Sequence, residues 1–380
     1  MKLLVGMLGL ILLFATLWDA FETIILPRRV TRPYRIVRVF YQVTWKLWVV
    51  MGKVFRSKKS RETHLSYYGP LSLLGLFVTW ALLLICTFAM LHWAAGSQIT
   101  MNGTESTFRT DLYMSGTTFF TLGLGDVTPR TALARVITVA EAGMGFGFLA
   151  VVIAYLPTLY GAFSQRELNI SLLDARAGSP PTAAELLRRH SQFANNEILT
   201  KYLQDWESWS AQLMESHLTY PVLCYFRSQH DNQSWLAAFT AVLDVSALMI
   251  AYGEGASKWQ AQLTFAISRH AIADLSEVLR VRPVHAAPDR LPSADLEEVR
   301  ALLIKCGGSP NCSEAGDLKL TRLREMYEPY LNGLSRRLLM PIPSWGAGSK
   351  YVENWKRSAW GTISSSESGR RSSGKGSDHF

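Results

Sequence analysis

Six consecutive residues near the middle of the chain have the types and spacing of an ion-binding strip. Residues 121–126 read Thr-Leu-Gly-Leu-Gly-Asp. Gly123 and Gly125 alternate with larger residues, and glycine adopts left-handed backbone angles at little cost, so successive carbonyls can face one axis. Four copies around that axis would supply rings of oxygens in place of a cation's hydration water. The predicted ligands are the backbone carbonyls of Thr121, Leu122, Gly123 and Leu124, with the Thr121 hydroxyl as a further ring.

A short helix is predicted just before this strip. Residues 111–119 contain no proline. The C-terminal end of a helix carries the equivalent of about half a negative charge, which would lie below the carbonyl rings and attract a cation.

The strip resembles the selectivity signature of potassium channels, in which Thr, Val, Gly, Tyr, Gly and Asp follow one another. The leucine variant also occurs in some two-pore-domain relatives. The similarity extends over about residues 69–164 and includes the matching positions Leu112, Tyr113, Thr118, Pro129, Arg135 and Gly145. Two residues depart from the family, because Leu124 replaces the usual Tyr and Phe120 replaces a small hydroxyl residue.

The resemblance implies a homotetramer with one pore loop per chain, K⁺ as the permeant ion and no other cofactor. It implies that Gly125, Asp126 and Thr118 support the filter, and that Gly145 and Pro157 form a gating hinge. A softer, less selective filter is expected from Leu124 and Phe120, since the hydroxyl of the family's Tyr is missing.

Two other classes of function compete with a potassium channel. A glycine-rich phosphate loop would need a glycine at position 128, where Thr128 stands, and a strand-then-helix pattern that is absent here. A weakly selective cation channel, or a non-conducting membrane scaffold or sensor that keeps the pore fold, remains open. We find no arrangement of residues typical of an enzyme.

The predicted membrane spans position this strip. Residues 70–95 contain no charged residue apart from His92, and residues 136–163 contain one acid, Glu141. Each run is long enough to cross a hydrocarbon core of about 30 Å. An apolar run at residues 3–18 continues to residue 26, and we interpret it as an uncleaved membrane helix, with a signal peptide as the alternative.

Positive charge is concentrated between residues 27 and 62. This segment has eleven basic residues and one acid, an excess of ten that exceeds the net charge of +9 of the whole chain. Short basic loops stay in the cytoplasm, which predicts an external N-terminus, an external loop around Asn102 and a cytoplasmic C-terminal part in the plasma (cell inner) membrane. The local charge favours anionic lipid headgroups at residues 28–61 over nucleic acid.

The spacing over residues 34–55 predicts a helix with cations on one face and aliphatic and Trp side chains on the others. We interpret it as an amphipathic helix in the headgroup plane, with a further span as the alternative. Asp19 and Glu22, one turn apart, are expected to pair with Arg28, Arg29 or Arg32.

The inner helix carries glycines at 143, 145 and 147, and Pro157 near its cytoplasmic end. These residues favour bending, although small residues also permit close helix packing. Tyr155, Leu156 and Leu159 are expected near an inner constriction. Glu141 faces either the pore helix near Thr117 and Thr118, or the cavity.

The C-terminal part is predicted to be helical throughout. After a break at residues 177–181, Thr182 and Glu185 have the spacing of a capping box, and helices are predicted around 198–213 and at 233–252, 258–281, 294–306 and 317–340. Residues 235–252 are apolar enough to span a membrane, but Asp244 favours a buried helix. His217, His230 and His270 lack the spacing of a metal site, and the four cysteines are expected to be free thiols.

The predicted fold is therefore all-α. Its segments are an N-terminal transmembrane helix (1–27), a basic amphipathic segment (28–68), a pore domain of outer helix, pore helix, filter loop and inner helix (69–164), a cytoplasmic helical domain (165–344) and a disordered tail (345–380). The gating stimulus and any ligand of the helical domain are not indicated by the sequence.

Overall fold

The computed structural model describes residues 2–26, 35–96, 107–191, 196–229, 232–305 and 314–346. These ranges are helical and contain no β-strand, which confirms the predicted all-α class. The membrane-side helices are α1 (Lys2–Ile24), α2 (Ile36–Gly52), α3 (Lys58–Ser66), α4 (Tyr68–Ala94), α5 (Phe108–Phe119) and α6 (Ala132–Ala177). The remaining helices are α7 (Ala183–Ser191), α8 (Asn196–Thr219), a 3₁₀ turn (Pro221–Tyr225), α9 (Trp235–Tyr252), α10 (Gly255–Val278), α11 (Ser293–Lys305) and α12 (Glu314–Leu338).

Helices α1, α4, α6 and α9 are long and apolar enough to cross a membrane. Helices α4 and α6 both pack against α5, which leads into the strip, and α1 packs on α4. Helix α9 instead lies inside the C-terminal helical region with almost all of its residues buried. Asp244 on α9 accepts hydrogen bonds from Tyr327 Oη at 2.6 Å and Arg290 Nη2 at 2.5 Å. A buried carboxylate needs such partners, so α9 is satisfied as the centre of a protein core.

Helix α1 runs antiparallel to α4 in close contact. A Cβ on Gly6 would lie 2.9 Å from Ala94 Cβ, and one on Gly9 would lie 3.2 Å from Met90 Cβ. Near the other end of α1, Trp80 Nε1 donates to Asp19 at 3.1 Å. The N-terminus therefore lies at the same end of the pair as the segment that follows α4.

Asp19 connects α1 to the start of α2. Its carboxylate accepts the backbone N–H groups of Ile36 at 3.1 Å and Val37 at 3.2 Å, and these are orphan donors at a helix N-terminus. Arg35 lies beside it, with Nε 3.8 Å from Asp19 and 3.7 Å from Glu22. Arg35 is thus a partner of both acids that the sequence did not predict, and the predicted partners Arg28, Arg29 and Arg32 lie outside the described residues.

Helix α2 packs its aromatic residues against protein rather than presenting all of them to lipid. Trp45 is buried between Tyr68 and Tyr225, and Trp48 stacks on His64 with ring centroids 4.5 Å apart. The aliphatic residues on its outer side stay exposed, namely Val39, Val43, Leu47, Val50 and Met51.

Helix α6 is a single helix of 46 residues. Thr131 caps its start by accepting Ala134 N–H at 3.2 Å, and the chain leaves it at Gly178 with φ of 80°. It passes residue 164 without a break, so the predicted pore and helical domains share one element.

The C-terminal helices match the predicted positions to within a few residues. Thr182 accepts Glu185 N–H at 3.2 Å, as the capping box predicts, while the Glu185 carboxylate bonds to Arg188 and Arg189 instead of returning to the cap.

Trp345 contradicts the prediction that the tail starts there. Its side chain is fully buried, its backbone carbonyl accepts Ala184 N–H at 3.1 Å, and its backbone N–H donates to the Arg290 carbonyl oxygen at 3.3 Å. Arg290 and Arg324 also lie over its ring. Burial of this one indole orders the segment, although the polar composition around it predicts disorder. The rest of the predicted tail, from residue 347, lies outside the described residues.

Candidate functional site

Helix α5 ends in a tight reversal that starts the strip. Leu122 N–H donates to Thr117 O at 2.8 Å, and Thr121 N–H donates to Thr118 O at 2.9 Å. These two bonds form a Schellman motif, whose residue after the helix takes left-handed angles. Here that residue is Thr121, with φ of 59°. A β-branched residue is unusual in this region, where glycine is the common choice, so the strip begins with a strained residue.

Backbone angles alternate along the strip. Positive φ recurs at every second residue, with 59° at Thr121, 54° at Gly123 and 77° at Gly125. A Cβ on either glycine would meet no atom of the chain within 4 Å. Glycine is therefore needed at these positions for the positive φ, since a side chain there would not clash with the chain. Residues 121–126 are exposed in the single chain, and Leu122 and Leu124 are each more than 60% exposed.

The outer end of the strip is tied back to α5. Tyr113 Oη donates to Asp126 Oδ2 at 2.8 Å, and Asp126 Oδ1 accepts Val127 N–H at 3.1 Å. The hydrogen bond to Asp126 raises the pKa of the Tyr113 phenol, because ionising the phenol would remove the donated proton. Val127 is buried against Met114. Thr118 contributes its carbonyl to the reversal described above.

A buried polar cluster lies behind α5. The Ser115 hydroxyl lies 2.8 Å from Ile85 O and also bonds Glu141 Oε1, while Glu141 Oε2 is 3.2 Å from His92 Nε2. All three side chains are fully buried. Of the two orientations expected for Glu141, the structure has the one toward the pore helix, with Ser115 as its partner instead of Thr117 or Thr118.

Asp111, in the first turn of α5, is also fully buried. Neither carboxylate oxygen has a hydrogen-bond partner among the described residues. Burial raises the pKa of this carboxyl to about 6, with His92 and Lys2 opposing the shift.

Gly145 allows α6 to meet the end of α5. A Cβ at this position would lie 2.0 Å from Phe119 O. No side chain fits there, so the structure gives this predicted hinge residue a packing role, and its hinge role stays a prediction. Pro157 lies within α6 on an exposed face.

The predicted inner constriction needs a correction. Tyr155 and Leu159 are buried against the outer helix, and Tyr155 contacts Phe77 and Tyr220. Leu156 is half-buried. The face of α6 that its own chain leaves open instead carries Val139, Phe146, Ile153 and Pro157.

The lower part of α6 joins the helical region through Arg166. This buried guanidinium donates to Leu223 O at 2.9 Å, Phe226 O at 3.1 Å and Glu167 at 2.8 Å. The same turn reaches the start of α4, where a Cβ on Gly69 would lie 2.6 Å from the Phe226 ring. Residues 221–226 therefore touch both the outer and the inner helix.

Sequence reasoning missed Ser115, His92 and Arg166. His92 and Glu141 are 49 residues apart, so no local pattern links them. The available signal was that polar residues within apolar spans need partners.

Comparison with known proteins agrees with this geometry. Residues 76–160 match a family model described as "Ion channel". The chain is 23% identical over 239 residues to the "Uncharacterized membrane protein YdjJ" of Bacillus subtilis (strain 168), an alignment that covers 62% of this chain and 69% of that protein. No solved structure matches the chain. The protein is therefore a helical membrane protein whose residues 76–160 match the ion-channel family.

Proposed function

We propose that the protein is a potassium-selective cation channel, formed by four copies around the strip at residues 121–126. The observation that carries this proposal is the alternation of positive φ at Thr121, Gly123 and Gly125 on an exposed strip. Alternating angles let consecutive carbonyls point the same way, and such carbonyl rings replace the hydration shell of K⁺.

The exposed strip supports an assembly of several copies, and the potassium-channel resemblance implies four. One chain supplies one strip and leaves it exposed, whereas a closed ring of carbonyls needs several. Closed cyclic symmetry places equivalent strips around one axis. The C-terminal end of α5 leads directly into the strip, so four negative helix ends would converge below the ion.

The proposed topology follows from charge and helix direction. Residues 28–61 would face the cytoplasm and anionic headgroups, and α6 would carry the helical region to the same side. The antiparallel contact of α1 and α4 then places the N-terminus outside together with Asn102, which itself lies outside the described residues.

The C-terminal helical region would shift the balance between the open and the closed channel. Arg166 and the turn at residues 221–226 connect it to the inner and outer helices. Any rearrangement of that region would therefore act on both helices.

The experiment is ion flux in liposomes that contain the purified protein, with K⁺ and Na⁺ gradients. We expect K⁺ flux in excess of Na⁺ flux for the native chain. Gly123→Ala should abolish flux, because alanine resists the left-handed angle. Gly143→Ala is the matched control, since its Cβ also meets nothing within 4 Å but lies in a helix.

Three results would contradict parts of the proposal. Equal K⁺ and Na⁺ flux would make the protein a weakly selective cation channel. No flux from an assembled protein would make it a scaffold or sensor. An active Gly123→Ala channel would remove residues 121–124 as the ion-binding strip.

A further inference from the structure

Helix α6 continues well beyond the apolar span, and its continuation is packed on only one side. Residues 136–163 already extend about 42 Å, more than the roughly 30 Å of a hydrocarbon core. Beyond them, one face is buried against the chain's own helical region, with Arg166, Ile170, Leu173 and Ala177 among its residues.

The opposite face carries an unpartnered apolar stripe. Leu168 is 54% exposed and Leu172 is 57% exposed. With Gly161, Gln165 and Ala175, also exposed, they follow one another at steps of four, three, four and three residues. This is the spacing of the a and d positions of a parallel coiled coil.

The stripe is continuous with the open face of α6 beside the strip. Val139, Pro157 and Ala175 are each 18 residues apart, which is about five helical turns and brings them onto one line of the helix. Leu168 deviates from that line by only about 20°. The side that faces the axis near the strip therefore also faces it below the membrane.

We propose that Leu168 and Leu172 of four copies of this chain meet on the pore axis as a parallel helical seam. This inference rests on the proposed function, because the pore supplies the axis and the parallel direction. The small residues Gly161 and Ala175 allow close approach at its two ends, and Gln165 contributes a polar layer of the kind that fixes register.

The occupant is another copy of α6 for two reasons. The buried side of the helix is already occupied by its own helical region, so a second apolar face needs a second partner. The flanking residues Ser164, Asn169 and Ser171 carry no charge, and Arg176 turns back over Tyr202 at 4.8 Å, so no like charges oppose the approach of equal copies.

The seam also has a consequence for ions. Leu168 lies about 35 Å along the helix from Gly145. Two rings of leucine there would narrow and dehydrate the path, as hydrophobic constrictions do.

Disulfide trapping in the full-length protein tests the seam. Leu168→Cys is compared with Leu318→Cys and the native chain, all in liposomes under mild oxidation. Leu318 on α12 is also a leucine with 54% exposure, but it lies off the α6 face. We expect a covalent dimer band for Leu168→Cys, absent from both controls.

The outcomes separate the seam from the channel. If Leu168→Cys forms no more dimer than Leu318→Cys while the protein conducts K⁺, the seam is wrong and the channel stands. If the native chain neither conducts nor assembles, both are wrong.

A second measurement does not depend on cysteine. The double variant Leu168→Glu, Leu172→Glu should dissociate into single chains at a lower temperature than the native assembly, because eight carboxylates would converge on the axis. Leu318→Glu should show no shift. An equal shift in both variants would overturn the seam.

Discussion

The front and the back of the strip at residues 121–126 differ in what their own chain provides. At the back, Ser115, His92 and Glu141 are buried and bonded to one another, and the α5 end rests on Gly145. At the front, the strip and the side chains of Leu122 and Leu124 are exposed. A single chain thus supports the strip from behind and leaves its front exposed. In the proposed channel, other copies would close that front.

The largest loss of stability is expected from adding a side chain at Gly145, behind the strip. Gly145→Val would place a side chain where Phe119 O is 2.0 Å from a Cβ, and a helix backbone cannot yield as a flexible side chain can. We expect a loss of at least about 4 kcal/mol in unfolding free energy, at the upper end of overpacking effects.

Thermal unfolding in detergent and K⁺ flux would measure this change, with Gly143→Val as the control. Equal stability of the two variants would show that the back of the strip is not held by this contact.

The next effect concerns the polar cluster. Glu141→Ala removes one hydrogen-bond partner from Ser115 and one from His92 in a fully buried site, and we expect a loss of about 3 kcal/mol in unfolding free energy. Glu141→Gln keeps an acceptor and a donor and should cost less than half as much. Chemical denaturation of the two variants tests this difference, and an Ala variant as stable as native would mean that the cluster gives no support.

Asp111, also buried behind the strip, has no hydrogen-bond partner for its carboxylate among the described residues. We therefore expect stability to depend on pH through this residue. Its pKa is raised from 3.8 to about 6 by burial, so the folded state holds the proton more tightly than the unfolded state. The stability that this proton contributes is complete below about pH 4 and is lost as pH rises to about 6, a total of up to about 3 kcal/mol.

Asp111→Asn should therefore raise the unfolding temperature at pH 7.5, and its advantage should shrink at pH 5. Melting curves at both values decide this point. A variant that is less stable than native at pH 7.5 would show that the ionised carboxylate has a favourable partner.

The smallest effect is expected at the front. Tyr113→Phe removes the 2.8 Å bond to Asp126, an exposed contact whose loss water largely compensates. We expect a severalfold lower preference for K⁺ over Na⁺ with unchanged unfolding. Reversal potentials measure the preference, and an unchanged ratio would mean that copies around the axis, rather than this bond, hold the strip.

The sequence was most informative where a local rule applied. Glycine spacing predicted the backbone of the strip, since positive φ at Gly123 and Gly125 is a property of single residues. Helical periodicity located α9 to α12 for the same reason. The identity of the ion and the number of copies stay predictions, because no local contact of one chain tests them.

The sequence failed where a contact that no single-residue rule describes decided the outcome. Thr121 is left-handed because two α5 carbonyls bind the turn, and its own side chain opposes this conformation. Asp19 bonds the start of α2, which no pairing rule along one helix would reveal. The polar residues around Trp345 predict a disordered tail, although its backbone carbonyl bonds to α7 and its indole lies under Arg290 and Arg324.

Because α6 is one unbroken helix, a small tilt near the strip would become a large displacement at its far end. From its contact with α5 at Gly145 to its end at Ala177 it extends about 48 Å, so a tilt of about 5° at the contact would displace the far end by about 4 Å. A displacement of that size is comparable to the width of a leucine side chain. The strip, which lies beside the α5 contact at Gly145, would hardly move. A large displacement of the helical region is in this way compatible with a strip that keeps its dimensions.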